Sequence, residues 1–129
     1  MSSGPYLRPV SRREWWLGAS IYRSYMLREL TSLFLGAYAF TLIVGLWRLS
    51  QGAEAFDAWL GAMQSPAGLV FNALMLVAAV YHSSTWFNVT PSAMNVRIGT
   101  GKLPGAIIIG AHYAAWFVIS VLVFLLVRA

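Results

Sequence analysis

Three apolar runs, roughly 30–49, 66–87 and 105–127, punctuate this chain. Each holds about 20 residues, and a helix rising about 1.5 Å per residue needs that many to cross about 30 Å of hydrocarbon. The chain is 59% hydrophobic and 10% charged, where a soluble domain carries about 25% charged residues. Together these features predict an all-α membrane protein with three transmembrane helices, about 28–49, 66–89 and 105–127, in a single domain covering 1–129. The first run starts too late, is too long and lacks the cleavage site of a signal peptide. Cysteine is absent. That excludes disulfides and thiolate metal sites, and this chain alone cannot ligate an iron–sulfur cluster.

The net charge of +5 does not point to nucleic acid. Arg8, Arg12, Arg13, Arg23 and Arg28 all precede the first uncharged run, where basic residues orient a span and favour anionic headgroups of membrane lipid. The first loop, roughly 50–65, carries Glu54 and Asp57; the second, roughly 90–104, carries Arg97 and Lys102 and no acid. By the positive-inside rule the N terminus and the second loop are expected in the cytoplasm, with the C terminus outside.

Local signals set the expected boundaries. Gln51-Gly52 ends the first helix, and Ser65-Pro66 starts the second with proline in its first turn. Thr90-Pro91 is expected to close the second, because the residue before proline leaves helical geometry. Gly99-Thr100-Gly101 reads as a flexible loop, and Leu103-Pro104 opens the third helix. Ala55, Phe56, Trp59, Leu60 and Met63 recur at helical spacing and predict a short surface helix at the outer interface. The segment 1–20 is polar, with Pro5, Pro9 and an adjacent Trp15-Trp16 suited to the headgroup zone.

Polar residues at membrane depth are costly unless paired, wet or used. Arg28 and Glu29 stand together at the entrance of the first run, about 100° apart on a helix. Arg28 has an alternative reading as a positive-inside anchor; for Glu29 topology offers less reason. His82 and Trp86 are four residues apart and share one helix face. Trp86 also suits an aromatic belt, and His82 an interhelical hydrogen bond. A histidine there can instead donate to a quinone carbonyl, relay a proton or ligate haem iron. His112, among Gly110, Ala111 and Ala114, has a packing role as its alternative. A carboxylate, a guanidinium, an imidazole and an indole in one apolar mouth suit a redox-active quinone.

The chain resembles the C subunit of fumarate reductase, a membrane anchor of the succinate:quinone oxidoreductase superfamily. The resemblance is carried by Pro5-Tyr6-Leu7-Arg8-Pro9, Trp15-Trp16, Tyr22-Arg23-Ser24-Tyr25-Met26-Leu27-Arg28-Glu29, Gly52-Ala53-Glu54-Ala55-Phe56, and His82-Ser83-Ser84-Thr85-Trp86-Phe87 with Pro91 behind it. It implies half of a heterodimeric anchor bundle, completed by a second membrane anchor, the D subunit. That bundle would hold an iron–sulfur subunit and a flavoprotein subunit on the cytoplasmic face of the bacterial inner membrane. The resemblance implies menaquinol oxidation for anaerobic respiration, with Glu29, Arg28, His82 and Trp86 at the quinone site. FAD, the clusters and the fumarate-reducing chemistry would belong to the partners. Haem b is not expected; if present, His82 and His112 are its candidate ligands. The alternatives are a succinate dehydrogenase anchor working in the reverse direction, a purely structural anchor, and a small proton-coupled transport subunit. Three spans without inverted repeats fit the last poorly.

Overall fold

A computed structural model describes residues 11–94 and 96–129, so the Pro5–Pro9 segment with Arg8 lies outside the described residues. A 3-10 turn at Trp15–Gly18 leads into α1 (Ser20–Ser50), α2 (Ala53–Gln64) and α3 (Pro66–Ala93). Two short strands, β1 (Arg97–Ile98) and β2 (Gly101–Lys102), precede α4 (Gly105–Arg128). Helices α1, α3 and α4 are each long and apolar enough to cross a membrane. The chain forms two compact units, one ending at Leu60 and the other covering Gly61–Ala129.

In the first unit, α1 begins well before the uncharged run. No glycine or proline interrupts residues 20–35, and Met26, Leu27, Arg28 and Glu29 are strong helix formers. The charges at Arg28 and Arg48 therefore bracket a segment of one helix rising about 30 Å, the thickness of the hydrocarbon core. The Trp15 ring lies edge-on to Tyr22 at 5.3 Å, and the indole of Trp16 donates to the Arg13 carbonyl at 3.0 Å. At the other end the Gln51 and Gly52 amides donate to the Arg48 and Leu49 carbonyls. Gly52 then turns the chain at φ 115°, a conformation that favours glycine. The expected surface helix is present as α2. Its Trp59 ring lies over Gly45 of α1, where an added Cβ would come within 2.7–3.0 Å of the indole. Phe56 stacks on Trp59 at 5.5 Å, so an aromatic pair covers the notch.

In the second unit, Ser65 caps α3 by accepting from the Gly68 amide at 3.1 Å, with Pro66 in the first turn. Gly68 lies so close to the carbonyls of Ala62 and Met63 that a Cβ would overlap them. The Asn72 amide also donates to the Met63 carbonyl at 3.2 Å. These contacts leave a one-residue corner between α2 and α3.

Two expectations change here. Helix α3 does not close at Thr90-Pro91; Pro91 lies inside it, and the helix runs on to Ala93. Proline removes only one backbone donor, the cost is small within the last turn, and the Met94 amide still donates to Thr90 at 2.8 Å. The expected loop at Gly99-Thr100-Gly101 is the tip of a hairpin. Arg97 pairs with Lys102 and Ile98 with Gly101, and Gly99 takes φ 60°, as a tight hairpin turn requires. Helices α3 and α4 pack together, and Gly105 admits the Pro91 ring, whose Cβ would be 3.2 Å from an added one.

Candidate functional site

Arg28 and Glu29 both occupy the third turn of α1 and face different surroundings. Arg28 is half-buried and Glu29 exposed. The less exposed side of α1 passes through Arg28, Thr31, Leu35, Tyr38, Thr41, Gly45 and Arg48, a helical stripe of three- and four-residue steps. Glu29 falls about 100° from Arg28, off that stripe. The guanidinium of Arg28 lies over the Tyr25 ring, 5.8 Å from its centroid, within the range of a cation–π attraction. The hydroxyls of Thr31 and Ser32 donate to the carbonyls of Arg28 and Glu29 at 2.6 and 2.5 Å. Ser and Thr three residues after the two charges are the sequence signal for these contacts. Such back-bonds keep both hydroxyls satisfied in an apolar setting.

His82 and Trp86 meet as their spacing predicts, with ring centroids 6.3 Å apart at 57°. His82 is half-buried and Trp86 is 45% exposed. The hydroxyl of Thr85 donates to the Tyr81 and His82 carbonyls, both at 2.9 Å.

The side of α3 that meets α4 is a different one. Phe87 contacts His112 at 5.3 Å, Tyr113 at 5.2 Å and Trp116 at 6.1 Å. Asn88 donates to the Ser84 carbonyl at 2.7 Å and to the Tyr113 hydroxyl at 3.2 Å. Phe87 and Asn88, with Pro91 beyond them, sit about 120–180° around the helix from His82. His82 and Trp86 are therefore turned away from α4.

His112 belongs to the aromatic cluster. Its Nδ1–H donates to the Ile108 carbonyl at 2.7 Å, and its ring rests on Phe87. That bond places the proton on Nδ1 and leaves Nε2 as the ring's acceptor. His82 and His112 project in different directions from the α3–α4 pair. Phe87 and Asn88 follow Trp86 in the sequence, and Tyr113 and Trp116 follow His112; the structure joins the two sets into one aromatic cluster.

Chemically, the second unit offers an imidazole beside an exposed indole, and the first an exposed carboxylate next to a half-buried guanidinium. These are proton-accepting, hydrogen-bonding and charge-stabilising groups beside apolar helix surface.

Comparison with known proteins supplies a context for these groups. A family profile for the C subunit of fumarate reductase matches residues 2–128. The fumarate reductase C subunit of Photobacterium profundum is 39% identical over 123 residues, 95% of this chain and 96% of the relative. Those of Vibrio vulnificus and Salmonella heidelberg are 37% identical over 123 residues and 35% over 119. They cover 95% and 92% of this chain, and 96% and 90% of their own lengths.

Proposed function

The chain belongs to the family of fumarate reductase C subunits, and from that premise we propose that it is a multi-pass anchor in the bacterial cytoplasmic membrane. It would pair with a second small anchor, the D subunit, and hold the iron–sulfur and flavoprotein subunits on the cytoplasmic side. The family match along nearly the whole chain carries this reading. Three membrane-length helices support it. So does the bias of cations toward the N-terminal segment and the hairpin, which favours an N terminus in the cytoplasm.

We further infer that α1 and α3 contribute to menaquinol oxidation. Quinol oxidation releases two electrons and two protons. The electrons leave toward the iron–sulfur partner, and the protons need a base. Glu29, with an exposed carboxylate at the membrane boundary, is the group on α1 that can accept a proton from a quinol hydroxyl and pass it to water. Arg28 supplies positive potential that stabilises negative charge on the quinone oxygens. His82 can hydrogen-bond a ring oxygen or its water, and the exposed face of Trp86 gives the ring an apolar wall. Haem b is no part of this reading, and FAD and the clusters remain with the partners.

The test is the purified multi-subunit complex carrying Glu29→Gln. Menaquinol-analogue oxidation should fall about a hundredfold, within the usual range for loss of a general base, while fumarate reduction from an artificial donor stays unchanged. Undiminished quinol oxidation in that variant removes Glu29 from proton transfer. Failure of the soluble subunits to co-purify with the wild-type chain overturns the anchor role itself.

A further inference from the structure

No Asp or Glu follows Asp57, so the second unit contains cations and no acidic side chain. Two of those cations are placed together. In the hairpin between α3 and α4, Arg97 and Lys102 are directly opposed partners across the antiparallel strands. Directly opposed residues project on the same face of a ribbon with Cβ atoms about 5 Å apart, and like charges there destabilise the pairing. Both side chains are exposed, and among the described residues neither head group makes a hydrogen bond or an ion pair. The hairpin nevertheless forms, held by the backbone and by the Leu103 amide donating to Val96 at 2.9 Å. Two exposed cations held on one face of the ribbon, with no acidic side chain in the unit, are disposed to bind an anion from outside it.

Position and neighbours indicate which anion. The hairpin starts four residues after the last of α3 and ends three before the first of α4, both membrane-length helices. It therefore lies at a membrane surface. Ile98 stands opposite Gly101 and projects from the other face of the ribbon, 70% exposed, and Met94 at the end of α3 is also exposed. Headgroup phosphates are the anions at hand where two membrane-length helices meet the surface, and that position favours a lipid over an acidic peptide. We propose that the Arg97–Lys102 cross-strand pair is a binding site for the headgroup phosphate of an anionic phospholipid. Arg97 offers a planar fork of donors and Lys102 a compact charge, so together they hold a phosphate from two sides. This proposal rests on the membrane placement of α3 and α4 and not on the quinone reading.

The test uses the purified complex in a zwitterionic detergent, titrated with phosphatidylglycerol or phosphatidylcholine, with retained lipid counted by native mass spectrometry. Wild type should retain phosphatidylglycerol in preference to phosphatidylcholine. The double variant Arg97→Gln with Lys102→Gln should lose that preference about thirtyfold, as expected for removing two interfacial cations. The exchange Arg97→Lys with Lys102→Arg, which preserves both charges, should keep it. Circular dichroism of each variant checks that helicity is retained. Equal phosphatidylglycerol retention by wild type and the double-Gln variant overturns the proposal. Displacement of the lipid by inorganic phosphate at equal concentration also overturns it, because the site would then not require a lipid. Loss of the soluble subunits with lipid retention intact would instead make the pair a protein-docking site.

Discussion

His82 and His112 are the two histidines of the chain, and their surroundings give them different work. His112 has its Nδ1 proton bound to its own helix and its ring against Phe87; His82 stands on the opposite side of α3 with Trp86. In the assembled complex, His82→Ala is expected to slow menaquinol-analogue oxidation about tenfold, the cost of one lost hydrogen bond to the substrate. His112→Phe should leave the rate within about twofold, since packing against Phe87 is kept; steady-state assays of both variants decide. A second expectation concerns Asn88 and Tyr113. A double-mutant cycle of Asn88→Ala and Tyr113→Phe, read by thermal unfolding in detergent, should give a coupling of about 0.6 kcal/mol, typical of interhelical hydrogen bonds in membranes. Zero coupling would show that the 3.2 Å contact contributes nothing to stability. The His82–Trp86 pair was legible because four residues make one helical turn. The separation of His82 from His112 was not legible, because apolar residues surround α3 on all sides and no stripe marks the face that meets α4.

Among the elements, the spans and α2 followed from run length and spacing, whereas the end of α3 and the hairpin did not. Pro91 is a strong stop signal inside a helix but a weak one near its end, where few backbone bonds remain to be lost. Residues 97–102 show no alternation long enough to announce strands; the hairpin depends on the backbone of Gly99. The junction of α1 with α2 was equally hidden, since a glycine in an apolar run does not reveal which indole will sit on it. It yields a sharp expectation. Gly45→Leu should expel Trp59 and loosen α2, at a cost of about 1–3 kcal/mol if the helix stays docked. Hydrogen exchange across 53–64 should accelerate in the variant while exchange in α4 is unchanged. Unaltered protection of α2 would mean that the notch does not hold it.

For the whole molecule, the described core is small, and most large apolar side chains remain exposed, with Leu126 at 76% and Val127 at 82%. Such surfaces on membrane-length helices belong against acyl chains or other subunits, not water. The orientation of the molecule can be read directly because the chain has no cysteine. Single reporters Thr100→Cys in the hairpin and Asp57→Cys in α2 should label from opposite sides of the membrane, the first from the cytoplasm. Labelling of both from one side would contradict three alternating spans.

The corner between α2 and α3 has a consequence for how this chain can change over time. One residue, Ser65, separates the helices, Gly68 leaves no room for a side chain, and Asn72 ties the second helix back to the first. A connection so tight has no slack to absorb an added or deleted residue, since either would rotate α3 by about 100° and carry His82 to another face. Variation in length among related chains should therefore collect in the segment 94–104 and avoid 62–68. The turn acts as a phase lock, setting the rotational register of everything that follows it.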